Sequence, residues 1–210
     1  MENLELKNCI LKSVSSINRS EIDAIIDIHR QELSGGFLSS LGNAALDILF
    51  SFAAESKHAI LLILLDNHTN KKVIGFLLGA LDTKKFYMDF IVKKFFIASL
   101  ILLPKMISFR KIKKVFETLF YPTKKIHTDL PKSELLDIAI LSPYQGQGLA
   151  KNLFYGLIEL LTKENISSFK ITTGESLINA QKFYEKIGAI KVDTVQVHKG
   201  ENTFVYIYKI

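Results

Sequence analysis

The sequence is poor in cysteine, since its 210 residues include only one, Cys9. A single thiol cannot form a disulfide within the chain, and without a cluster of cysteines and histidines a structural zinc or other metal site is not expected. This composition favours a protein of the reducing cytoplasm. The N-terminus also lacks a basic segment followed by a long apolar core, so no signal peptide is predicted.

Acidic residues are scarce between residues 84 and 125. This segment has eleven lysine or arginine residues and two acidic ones, in a chain of net charge +6. Its most apolar run, residues 95–103, is too short to span a bilayer. One interpretation is a helical lid with its lysines in water. The other is a surface for an anionic partner, either a peripheral membrane contact or an acceptor that carries phosphates. Nucleic acid is not predicted as a partner, because lysine far outnumbers arginine and no known binding motif occurs.

The apolar periodicity predicts strands and helices that alternate along one domain, residues 1–210. Strands are expected at 7–15, 58–66, 72–81, 134–141, 168–173, 194–197 and 203–208. Helices are expected at 20–33, 41–56, 148–165 and 178–187, the first with Ser20 as its N-cap. Residues 84–133 form an insertion before the strand at 134–141, and a helical pattern in it is interrupted by Pro104. A monomer and a homodimer are both left open.

A glycine turn between a predicted strand and a predicted helix is the most informative feature. Its sequence is Gln145-Gly-Gln-Gly-Leu-Ala150. Small residues let the backbone approach a ligand closely, and the first amides of the helix have no helical partner. With the helix dipole they form a site for an anion such as a pyrophosphate. A Walker A loop is excluded because Gly148 is not followed by Lys-Ser/Thr, and a Rossmann turn would need a third glycine.

A second motif, Asn179-Ala-Gln-Lys-Phe-Tyr-Glu-Lys-Ile-Gly-Ala189, follows in the last predicted helix. Ala180, Phe183, Tyr184 and Ile187 are spaced so that they share one buried face. A buried tyrosine hydroxyl needs a hydrogen-bond partner. Tyr184 is therefore either a core residue or a residue whose hydroxyl has a function.

The two motifs, in this order and at this separation, resemble the acyl-CoA loop and the second signature of the GNAT N-acetyltransferase superfamily. The resemblance is specific over residues 134–190 and extends to the N-terminal half through element order. It implies an α/β (α+β) fold with a mixed, mostly antiparallel sheet flanked by helices and a helical insertion at 84–133. It also implies acetyl-CoA as co-substrate. The resemblance further implies that Tyr184, which matches the tyrosine of the family, returns a proton to the leaving thiolate. The residues implied to bind the co-substrate are Ile138, Ala139, Ile140, Gln145, Gly146, Gln147, Gly148, Leu149, Ala150, Lys151, Asn179 and Lys182.

A general base for the acceptor amine is the remaining requirement. Glu134 is the first candidate, because some members of the family carry a catalytic glutamate at this position. By two-residue alternation Glu134, Leu136, Ile138 and Ile140 should share one face of the strand. Asp137 and His127 are the other candidates, and a solvated Glu134 at a strand start is the structural alternative.

The function expected from these features is acetyl-CoA-dependent N-acetylation of a small-molecule amine, with a nucleotide-linked amino sugar as one acceptor. Acetylation of a protein or peptide amine is the alternative enzyme. The alternative that is not an enzyme is an interaction module that binds CoA without turnover.

Overall fold

The computed structural model describes residues 4–6, 9–13, 18–33, 42–69, 71–102, 130–198 and 201–210. The strands are β1 (Leu4–Leu6), β2 (Cys9–Ser13), β3 (Ala59–Asp66), β4 (Val73–Ala80), β5 (Glu134–Ile140), β6 (Ser168–Gly174), β7 (Ile190–His198) and β8 (Glu201–Lys209). They form one sheet in the order β1-β2-β3-β4-β5-β6-β8-β7. All neighbours in it are antiparallel except β5 and β6, which are parallel. The predicted mixed, mostly antiparallel sheet is confirmed.

Helices cover both faces of the sheet. They are α1 (Arg19–Glu32), α2 (Asn43–Glu55), α3 (Thr83–Leu102), α4 (Leu149–Lys163) and α5 (Ile178–Lys186). The first two pack on one face, where they share an apolar layer with Leu61, Ile63 and Leu65 of β3. Helices α4 and α5 pack on the other face, with Leu62 and Leu64 of the same strand. Since both faces are covered, β3 and β4 are nearly continuous apolar runs, as buried strands are.

Several predicted boundaries differ from those of the structure. Helix α1 is capped by Asn18, whose Oδ1 accepts the amide of Ser20 at 3.2 Å, so Ser20 lies in the first turn instead of at the cap. Strand β1 is not among the predicted strands, and β7 is longer than the strand predicted at 194–197. The insertion begins with α3, whereas residues 103–129, including Pro104 and His127, lie outside the described residues. None of the helices in the described ranges is long and apolar enough to cross a membrane.

Candidate active site

A gap opens between the parallel strands β5 and β6. The two strands pair only at Glu134 with Lys170 and at Leu135 with Ile171. Strand β5 nevertheless continues to Ile140 and stays paired with β4 along its other edge. Beyond Leu135, the edge of β5 that faces β6 therefore offers its backbone groups to a ligand instead of to a strand.

Two of the three predicted residues of β5 present their backbone to this gap. The Leu141 amide donates to Ile74 O at 2.9 Å, so the backbone groups of Ala139, two residues earlier, also face β4. Those of Ile138 and Ile140 must then face the gap. The Gln145 side chain confirms this direction for Ile140, since its Nε2 donates to Ile140 O at 2.8 Å. Ala139 instead packs its side chain into the apolar layer beneath α1.

The glycine turn after β5 forms a row of available amides. Gly146 and Gly148 have φ of 76° and 80°, a left-handed conformation that favours glycine. Among the described residues, no hydrogen bond uses the amides from Gly146 to Ala150, and the amide of Lys151 is the next to be bonded, to Gly148 O at 3.0 Å. The Gln145 amide donates to Ser142 O at 3.2 Å, so the row begins one residue later than the motif. These amides lie at the positive end of α4, where an anion is stabilised.

The turn is braced by Glu32, a residue that the sequence motifs did not identify. Its carboxylate accepts the Ser142 amide at 2.8 Å and the Gln145 Nε2 at 3.0 Å, and it also contacts the Ser142 hydroxyl. The end of α1 is thereby fixed to the start of the anion-binding turn. No local pattern marks Glu32, because the contact joins segments far apart in the chain.

Tyr184 lies in α5 and is 5% exposed. Its ring packs against Phe183 and Tyr206, with centroid distances of 5.4 and 6.1 Å. Burial raises the pKa of the Tyr184 phenol well above its usual value, and the nearby charge of Asp137 raises it further. Because its pKa is raised, the phenol keeps its proton at neutral pH. No hydrogen bond within the described ranges involves the hydroxyl, so it is available to donate one to a ligand. Asn179 and Lys182, on the same helix, are exposed, as is Lys151 on α4.

Glu134 lies at the closed end of the gap. It is 7% exposed, and its carboxylate contacts Lys170 Nζ at 3.1 Å, Thr83 Oγ1 at 3.0 Å and Thr172 Oγ1 at 3.2 Å. Both carboxylate oxygens are engaged in this network. The surroundings are those of a structural ion pair that joins β5, β6 and α3, and a catalytic role for Glu134 remains a prediction.

A β-bulge in β5 corrects the predicted alternation of side chains. Leu78 of β4 lies opposite Asp137 and the next residue, Gly79, lies opposite Leu135, so Leu136 is an extra residue in β5. Leu136 consequently packs on the α1 face, whereas Ile138 and Ile140 pack on the α4 face. The expectation that Ile138 and Ile140 share a face with Glu134 is wrong, because a bulge reverses the alternation beyond it. Leu136 does pack in the same layer as Ala80, the residue of β4 that pairs with Glu134.

Two buried side-chain oxygens border the gap without a hydrogen bond. Among the described residues, Asp137 Oδ2 in β5 and Thr173 Oγ1 in β6 are the buried oxygens of this kind. Asp137 Oδ2 lies 3.3 Å from Nε2 of His29 in α1, within ion-pair distance but without hydrogen-bond geometry. Buried polar atoms are rarely left unsatisfied, and such atoms often mark a functional site. One lies in β5 and the other in β6, the two strands that flank the gap.

Comparison with known proteins supports the resemblance of the motifs. The model of the acetyltransferase (GNAT) family matches residues 22–189. The ribosomal-protein-S18-alanine N-acetyltransferase from Escherichia coli has a similar structure, with a TM-score of 0.57 and 14% identity over 96% of this chain and 94% of that chain. NAA60 of Arabidopsis thaliana, solved with a bisubstrate analogue, gives a TM-score of 0.59 and 13% identity over 96% and 97% of the two chains. At such identities the similarity shows the fold alone. No curated protein sequence matches the chain.

Proposed function

The chain belongs to the acetyltransferase (GNAT) family, whose co-substrate is acetyl-CoA. We propose that it transfers the acetyl group of acetyl-CoA to the amine of a small molecule. The observation that carries the proposal is the continuity of the gap with the amide row. The edge of β5 at Ile138 and Ile140 leads directly into the free amides of Gly146 to Ala150. An extended ligand with an anionic end fits this arrangement.

Each part of the site has a role in the proposal. The amides of the turn and Lys151 hold the pyrophosphate, while the backbone of Ile138 and Ile140 pairs with the pantetheine arm. Acetyl-CoA supplies an activated acetyl group as a thioester. Backbone amides at the gap polarise the thioester carbonyl, and the Tyr184 hydroxyl protonates the departing sulfur.

A phosphate-bearing acceptor, such as a nucleotide-linked amino sugar, is proposed from the charge of α3. Lys84, Lys85 and Lys93 are exposed on this helix. Its first residue, Thr83, bonds to Glu134 at the closed end of the gap, so the basic surface lies beside the cleft. Exposed cations near the acceptor would attract an anionic substrate.

The experiment is a thiol-release assay with acetyl-CoA and a panel of amines. The panel contains glucosamine, a UDP-linked amino sugar, spermidine and a short peptide with a free N-terminus. Acceptor-dependent release with an amino sugar or polyamine is expected. Release with the peptide alone would favour a protein acetyltransferase, and CoA binding in calorimetry without release would favour a binding module. Tyr184→Phe, assayed in parallel, controls for contaminating activity because only the chain's own turnover should fall.

A further inference from the structure

A buried histidine–aspartate pair lies beside the gap and has no part in the steps above. His29 is 3% exposed on α1, and its Nε2 lies 3.3 Å from Oδ2 of Asp137, whose side chain is 13% exposed. We propose that this pair takes the proton from the acceptor's ammonium group, with Asp137 as the catalytic residue and His29 as the residue that positions it. The inference rests on the proposed function, since it assigns the base for that reaction.

The direction of the Asp137 side chain is set by the bulge at Leu136. Without the extra residue, Asp137 would share the face of Leu135, which is buried in the apolar layer of α4. The bulge turns it instead toward α1, where it meets His29. Bulges next to active sites commonly redirect a side chain in this way.

The surroundings of His29 fix its ring. Phe50 and Phe76 lie beside it, with ring centroids at 5.8 and 6.3 Å from that of His29. An imidazole that packs against two apolar rings has its orientation restricted by them, and its Nε2 stays within 3.3 Å of the carboxylate. Groups that act in catalysis need this kind of support from residues behind them.

Asp137 is better placed than Glu134 to serve the reaction. Both oxygens of Glu134 are engaged by Lys170, Thr83 and Thr172, whereas Asp137 Oδ2 accepts no hydrogen bond among the described residues. The charge of Asp137 also acts on Tyr184, the proposed acid, and contributes to its raised pKa. In the proposal, the carboxylate accepts the proton of the amine and the phenol donates a proton to the departing sulfur.

In the proposed reaction the Asp137–His29 pair takes up one proton in each turnover. The ammonium gives one proton to the Asp137–His29 pair, and the freed nitrogen lone pair forms the C–N bond at the thioester carbonyl. The C–S bond then breaks and its electron pair leaves on sulfur, which takes the hydroxyl proton of Tyr184. Tyr184 recovers a proton from the nitrogen as the amide forms. The pair finally releases its own proton to solvent.

Other ionisable groups lie on the elements around the pair. Charges of Asp137 and Glu134 both act on Tyr87 of α3, and Lys170 of β6 neutralises Glu134. If the two groups share the proton of the acceptor, the acid limb of the rate profile depends on both of them. Imidazoles in general titrate at higher pH than carboxylates. Loss of His29 should therefore move the limb to lower pH.

The test compares kcat and KM between pH 5 and 9 for the wild type, Asp137→Asn, His29→Phe and Glu134→Gln. The acceptor is the fastest amine of the panel above. Asp137→Asn should lower kcat by about 10²–10⁴-fold with little change in KM, as loss of a general base does. His29→Phe should shift the acid limb down by about one pH unit, and Glu134→Gln should leave the limb in place. His29→Gln replaces His29→Phe if circular dichroism shows the latter unfolded.

Two kinetic results would overturn the inference. An acid limb that is unmoved in His29→Phe, with a rate lowered equally at every pH, would make His29 a packing residue. An acid limb of the rate profile that moves in Glu134→Gln but not in the His29 or Asp137 variants would make Glu134 the general base.

A measurement without acceptor separates this inference from the proposed function. The imidazole NMR signals of His29 are followed against pH in the wild type and in Asp137→Asn, with no ligand added. Their midpoint should change by at least about half a unit, because paired groups titrate together. An unchanged midpoint would overturn the pair even in an active enzyme. Absence of thiol release with every amine, together with a changed midpoint, would instead count against the proposed function alone.

Discussion

Gly148→Glu should weaken CoA binding through charge if the row of amides is the pyrophosphate site. The residue caps α4 in the left-handed conformation, and a Cβ built on it would meet no atom within 4 Å. The first atom of the new side chain therefore has open space around it. A loss of affinity in the folded variant is then expected from repulsion between the new carboxylate and the bound phosphates.

The size of the effect follows from Coulomb's law. A carboxylate about 6 Å from a phosphate charge costs roughly 1–3 kcal/mol for effective dielectric constants between about 80 and 20. That range corresponds to a dissociation constant about 5–150-fold higher. The left-handed φ costs a further 1–2 kcal/mol or so, which falls on folding stability instead of on binding.

Two variants separate these contributions in isothermal calorimetry with CoA. Gly148→Gln adds similar bulk without charge, so the Glu-to-Gln ratio reports the electrostatic part, and it should shrink as salt is raised. Gly188→Ala adds a Cβ at φ 98°, where the nearest atom is 3.9 Å away, and controls for strain alone. If Gly148→Glu is folded and binds CoA within about twofold of the wild type, the amide row is not the pyrophosphate site.

Three further substitutions test other parts of the molecule. Tyr184→Phe should lower kcat by about 10²-fold while CoA affinity changes less than about twofold, because the lost interaction develops in the transition state; a kcat within about twofold, with chemistry rate-limiting, would make Tyr184 a packing residue. Lys170→Met should cost about 3–5 kcal/mol in urea unfolding, because it leaves Glu134 buried without its partner, and adding Glu134→Gln should recover most of the loss. Asp66 accepts the His68 amide at 2.9 Å and the Thr69 hydroxyl at 2.7 Å, and these bonds lower its pKa. The ionised Asp66 carboxylate therefore stabilises the fold at neutral pH, and this contribution is lost in acid. The Tm difference between the wild type and Asp66→Asn should shrink below about pH 4. A Tm difference that is constant with pH would contradict this.

The strand, turn and helix around residues 134–163 could be predicted because their signals are local. Apolar runs, glycines that need a positive φ, and helical spacing all act within a few residues of one another. The predicted helix at 148–165 is observed at Leu149–Lys163, and the strand at 134–141 at Glu134–Ile140. The gap itself has no local signal, since the pattern of a single strand does not show where its neighbour diverges.

His29 could have been found from its spacing. Ile22, Ile25, Ile26 and His29 fall on one face of α1, and all four are buried. A histidine on an apolar helix face needs a partner, and that need is visible in the sequence. The identity of the partner is not, because it depends on which residue of β5 lies beneath the helix.

The register of β5 against β4 sets where the carboxylates of Glu134 and Asp137 lie. Alternation counted along the sequence places Glu134 with Ile138 and Ile140, and it places Asp137 on the opposite face. The pairing of Leu78 and Gly79 leaves Leu136 unmatched, so the count changes by one between these positions. Glu134 then meets Lys170 on the α3 side, and Asp137 meets His29 beneath α1. A difference of one residue in register, set by a strand more than fifty residues away, thus determines that Asp137 lies against α1.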